Sequence, residues 1–166
     1  MAELTNLETK LGEVIGLAMA AQDATKKVGR LAKKEKHEDL VQTLETMAKE
    51  AAMAEKRGTE IAETIDGKKT AILKEARSVK TKARDMMSTY LDDDADALDG
   101  FEFLTMAEAG EVGHWRIVEV LGRRAGSSDV DGLVDWALPI QQRHFEQAQR
   151  GSLTLAEAED PNETAA

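Results

Sequence analysis

The sequence predicts an all-α fold, a helical bundle, and three observations carry that expectation. Apolar residues recur at alternating steps of three and four along most of the 166 residues, the period of a helix that buries one stripe. Proline occurs only at Pro139 and Pro161, so long stretches are free to be continuous helix. Hydrophobic residues make up 42% of the chain but aromatics only 4%. The core must therefore come from Ala, Leu, Val, Ile and seven Met, a set that suits close-packed helices better than sheets.

The first element follows from Leu4, Leu7, Leu11, Val14, Ala18, Ala21, Thr25 and Val28, a stripe that predicts a helix over about 3 to 33. Its basic end, Lys26, Lys27, Arg30, Lys33, Lys34 and Lys36, reads as a solvated C-terminus where cations complement the macrodipole. After a charged link holding His37, Leu40, Leu44, Met47, Ala51, Ala54, Gly58, Ile61 and Ile65 predict a second helix over about 38 to 65. Asp66-Gly67 is a turn signal, and Ile72, Ala76, Val79, Ala83, Met86 and Tyr90 give a third, shorter helix with a strongly charged outer face. The Asp residues of LDDDADALDG can cap a fourth helix, expected over about 96 to 125 and stopped at Gly126-Ser127-Ser128. Val130, Leu133, Ala137, Ile140, His144 and Gln147 give the last helix, about 129 to 149, with Pro139 as an expected kink or break.

Four long helices and one shorter one, joined by short links, fit an up-and-down bundle over residues 1–150. Residues 151–166 have few large apolar groups and read as a loosely attached or disordered tail. The net charge of −10 argues against a nucleic-acid partner. The absence of a long uncharged apolar run argues against a membrane partner. The chain has no cysteine, which excludes disulfides, thiolate metal sites and a catalytic thiol. A soluble, cytoplasmic protein is the expectation, with a homodimer as one partner state open to it and any small-molecule ligand unknown.

Chemistry concentrates on the fourth helix, where the stripe Leu104, Ala107, Glu111, His114, Val118 and Leu121 passes through two polar residues. Glu108, Glu111 and His114 form a shallow arc on one face, and an inward carboxylate needs a partner because burying it alone costs several kcal/mol. Gly110 and Gly113 beside the arc suggest that a packed helix or a ligand approaches the backbone there. On the fifth helix His144 falls on the apolar stripe with Gln141 one turn before it. Glu111, His114 and His144, joined by Glu108 and Gln141, are therefore the candidate metal ligands. Carboxylate and imidazole suit a divalent transition metal such as iron, zinc or manganese. A metal-free polar core that holds helix register is the alternative. No phosphate loop, nucleophile elbow or His-Glu-x-x-His motif competes.

Glu111-Val112-Gly113-His114, and Gln141-Gln142-Arg143-His144 with an amide in place of the carboxylate, resemble the inward Glu-x-x-His motifs of ferritin-like carboxylate proteins. With the helix order and the segments EVGHWRIVEVLGRRAG and ALPIQQRHFEQAQRG, the chain is similar over roughly residues 10 to 150 to the bacterial, stress-associated YciF-like family. The resemblance implies a ferritin-like bundle with a metal site and a stress-associated accessory role. The first helix offers only Gln22-Asp23, and the second only Glu50-x-x-Met53, where a di-iron centre needs a Glu and a second Glu-x-x-His. The implied site is thus degenerate, which argues against an oxidase.

Overall fold

The computed structural model describes residues 2–164, and among them the regular structure is entirely helical. Five helices follow in order: α1 (Asn6–Lys34), α2 (Glu38–Thr64), α3 (Lys69–Tyr90), α4 (Ala97–Ala125) and α5 (Ser128–Ala156). No described helix is long and apolar enough to cross a membrane.

The helix ends are written in local chemistry. Thr5 and Glu8 form a capping box at the start of α1, and Asp96 and Asp99 form another at the start of α4. Each box satisfies two of the orphan amides at a helix N-terminus. At the far end of α1, Lys36 takes a left-handed backbone, φ 67°, and the His37 amide donates to the Ala32 carbonyl at 2.9 Å. Gly126, φ 64°, does the same for α4, where the Ser127 amide donates to Gly122 at 3.1 Å. Both are Schellman endings, which turn the chain sharply enough to fold α1 on α2 and α4 on α5 as hairpins. The Glu35 carboxylate then accepts from the Ala97 amide at 2.8 Å, tying the end of α1 to the start of α4.

The two hairpins pack together, with α1 on α4 and α2 on α5, while α3 lies chiefly along α1 and barely touches α4. Gly12 and Gly16 explain the α1–α3 contact. A Cβ on Gly16 would collide with the Ala76 carbonyl, so only glycine lets the two backbones come this near.

The core is two apolar clusters at different heights along the bundle. One holds Leu11, Val14, Ile15, Ile72, Trp115, Val118 and Val134, and the other Val28, Leu44, Met47, Phe101, Leu104 and Leu155. Between these clusters α2, α4 and α5 carry Glu50, Glu108, Glu111, Gln141 and His144, beside the small Ala51, and that interval is where the functional site lies.

Two expectations about α5 need correction. The helix runs unbroken through Pro139, and it continues to Ala156 rather than ending near 149. The extra turns are docked: Gly151 is buried with the Phe101 ring where a Cβ would stand, and Leu155 is 5% exposed. Large apolar residues are few in this segment, and Gly151 contributes by being small. Exposed chain without helix begins at 157, not 151.

Candidate functional site

Glu108 and Glu111 on α4, with Gln141 and His144 on α5, are among the few buried polar residues of the protein, at 1%, 5%, 7% and 3% exposure. Glu50 of α2 joins them from the edge. The helical period puts them together: each sits one turn from an apolar stripe residue, Met47 before Glu50, Leu104 before Glu108, Leu138 before Gln141. They form a polar layer between the two apolar clusters.

His144 organises the layer by using both ring nitrogens. Its Nε2 is 2.7 Å from Glu50 Oε2, and its Nδ1 is 3.7 Å from Glu108 Oε2. Arg143, next in sequence, donates to the other oxygen of Glu50. The Gln141 amide donates to Glu108.

The proton positions follow from burial and these partners. Burial pushes Glu50 upward, but the hydrogen bonds and charges of His144 and Arg143 outweigh it, so Glu50 titrates below the usual carboxylate range. Burial pushes the His144 imidazole down more than Glu50 raises it. His144 is therefore neutral near pH 7, with Nε2–H donating to the Glu50 carboxylate and the Nδ1 lone pair turned toward Glu108. Burial raises Glu108 to about 7 against the hydrogen bond from Gln141. Glu111 is pushed well above the ordinary range, first by burial and then by the charge of Glu108. Among the described residues none donates a hydrogen bond to the Glu111 carboxyl.

Four of the five sequence candidates, Glu108, Glu111, Gln141 and His144, thus meet in one layer. His114 does not. Its side chain is 39% exposed, its Nδ1 pairs with the Gly110 carbonyl at 2.9 Å, and its Nε2 faces Glu13 of α1 at 3.6 Å. A step of three residues leaves His114 about 60° from Glu111 around the helix, enough to move it from the interior to the edge. Nothing stands within 4 Å of a Cβ placed on Gly110 or Gly113, so neither a packed helix nor a neighbouring backbone accounts for those glycines.

Glu50 is the member that the candidate set lacked. Its signal was present, three residues after Met47 on the stripe of α2 and at the head of a Glu-x-x-Met sequence, but an interior place for it depends on α5 bringing Arg143 and His144 across. Gln22, Asp23 and Met53 stay outside the layer. Gln22 donates to Glu55 at 2.6 Å, Asp23 pairs with Lys80 at 3.5 Å, and Met53 is 46% exposed. At the same height α1 presents Ala18 and Ala21, buried and without donor atoms.

As they stand, no three His, Asp or Glu side chains among the described residues are gathered into a ready metal cage. The donors are drawn into pairs instead. What the layer offers is a free imidazole nitrogen, an adjoining carboxyl and a second carboxyl without a partner. Compared with protein-family models, curated proteins and solved structures, the chain matches none.

Proposed function

We propose that this protein is a ferritin-like bundle that binds a single divalent transition metal ion in its polar layer and serves as a metal-binding, stress-associated accessory protein rather than an oxidase. The observation that carries the reading is the His144 ring. Its Nε2–H is fixed by a carboxylate, itself held by an arginine, and its Nδ1 lone pair faces inward, the arrangement by which a second carboxylate orients a ligating histidine. Donor atoms 3.7 Å apart, as His144 Nδ1 and Glu108 Oε2 are, can share one ion at about 2.1 Å from each with an angle of about 120°. Glu111, one turn on, supplies the third donor, and Gln141 either keeps its hold on Glu108 or turns its amide oxygen inward as a fourth.

A bound ion would lend Lewis acidity and neutralise the two acids. The chain's own residues would do the rest: Glu50 and Arg143 hold the imidazole tautomer, and Glu108 and Glu111 would give up their protons on serving as ligands. Two carboxylates and one imidazole, with only alanines facing them from α1, match the needs of one ion and fall short of two.

A metal-free layer that fixes helix register is the second reading, favoured by the pairing of Gln141 with Glu108. Elemental analysis of protein purified without chelator, followed by zinc and manganese titration of the thermal midpoint, separates the two. The metal reading expects the midpoint to climb with metal concentration. His144→Ala removes that dependence, and His114→Ala keeps it. Should wild type bind no metal, or His144→Ala bind as tightly as wild type, the register reading stands in its place.

A further inference from the structure

Because α3 barely touches α4, a groove remains between them, floored by α1. Its volume is about 160 Å³, and its walls are almost wholly apolar, including Leu17, Ala20, Ala24, Ala83, Met86 and Phe103. Met86 and Met106 at its lip are 48% and 42% exposed, flexible side chains that can adapt to an occupant. At the bottom lie Glu108 and Glu111. Glu111 also lines the small cavity that holds Glu50, Gln141 and His144, so the groove reaches the polar layer from the opposite side.

We propose that this groove binds a small primary amine with an aromatic or short alkyl body, its ammonium received by Glu111 and Glu108. Size argues for such a body, since an apolar cavity of about 150 Å³ holds benzene. Chemistry argues for the amine. Glu111 is 5% exposed, its carboxyl has no donor among the described residues, and it lines the groove, where an ammonium's three N–H groups would meet it. A neutral apolar molecule would fill the groove and leave the carboxyl as it is. An anion would meet two acids at the bottom, with Arg84 only at the exposed rim and the half-exposed His114 already facing Glu13. The inference shares Glu111 with the metal reading but does not rest on it, because the amine needs neither His144 nor an ion.

The test uses the full chain, freed of metal with chelator and labelled at its methionine methyls, titrated with benzylamine, toluene and benzoate. Benzylamine is expected to shift the Met86, Met87 and Met106 signals saturably, with toluene and benzoate binding at least about tenfold more weakly. Glu111→Gln should weaken benzylamine by about thirtyfold or more and leave toluene unchanged. Ala83→Phe, a change on the partly exposed inner face of α3, should block all three by filling the groove, so the proposal stays exposed to failure if Glu111→Gln does not fold. His144→Ala should retain benzylamine affinity even where it abolishes metal binding. The proposal is overturned if wild type shows no saturable shift, if toluene or benzoate binds as well as benzylamine, if Glu111→Gln or Ala83→Phe has no effect, or if His144→Ala loses the amine.

Discussion

Glu108→Gln should make the metal-free protein more stable at pH 8 while leaving it nearly unchanged at pH 5. Glu108 is 1% exposed, and burial raises its carboxyl from 4.5 to about 7. Between those values the folded state holds a proton that the unfolded chain has released. Its contribution is therefore fully present below pH 4.5, falls as pH rises toward 7, and is gone above that. The interval corresponds to about 3 kcal/mol. A glutamine keeps the shape and still offers an oxygen to Gln141, but it has no proton to lose. Urea unfolding at pH 5, 6, 7 and 8, with chelator present, measures the difference between variant and wild type. That difference should grow by about 2 to 3 kcal/mol across the series, a large part of the 5–15 kcal/mol typical of a domain. His144 remains in both proteins, and Glu111, relieved in the variant of the Glu108 charge that raises it, shifts the difference in the same direction. Parallel profiles for the two proteins would refute the assignment of a buried, proton-holding Glu108.

Two further predictions concern packing. Truncation after Ala156 should be neutral, whereas truncation after Arg150 should cost about 2 to 4 kcal/mol in urea unfolding, because it uncovers Phe101 and removes the buried Leu155; equal stability of the two truncations would contradict the docked end of α5. Gly16→Ala should lower the thermal midpoint despite its gain in helix propensity, since the added methyl meets the Ala76 carbonyl and separating α1 from α3 costs about 1 to 3 kcal/mol; an unchanged or raised midpoint would show that α3 can move aside freely.

Helix type and limits were legible in the sequence because caps and stops are local. The Asp run before α4 and Gly126 after it act within one turn of the chain, and the observed helix limits there fall within a residue or so of those signals. The end of α5 was not legible, since Gly151 and Leu155 gain their meaning from Phe101, some fifty residues earlier, and no local pattern announces that meeting. The site divides in the same way. An inward Glu111 and an inward His144 follow from apolar stripes, and burial bears both out. His114 shares the stripe of Glu111 but lies at its margin, and the margin of a stripe is decided by where the neighbouring helix sits. Glu50 was visible as a motif fragment, yet its pairing with His144 and Arg143 spans more than ninety residues and is a fact of packing alone.

The polar layer and the groove have one origin in α1. Where α2, α4 and α5 turn Glu50, Glu108, Glu111, Gln141 and His144 toward the layer, α1 presents Ala18 and Ala21 there and Ala20 and Ala24 to the groove. Alanine supplies no donor atom, which limits the chemistry of the layer to what three helices can offer. Alanine also occupies little volume, and α3 lies along α1 without closing on α4, so the space that longer side chains would take stays open above Glu108 and Glu111. The two apolar clusters pack the helices on either side of the layer. The chemistry is thus set at one height along the bundle: His144 substitutions should alter metal binding, Glu108 and Glu111 substitutions proton and amine binding as well as the pH dependence of stability, while the clusters above and below keep the helical architecture.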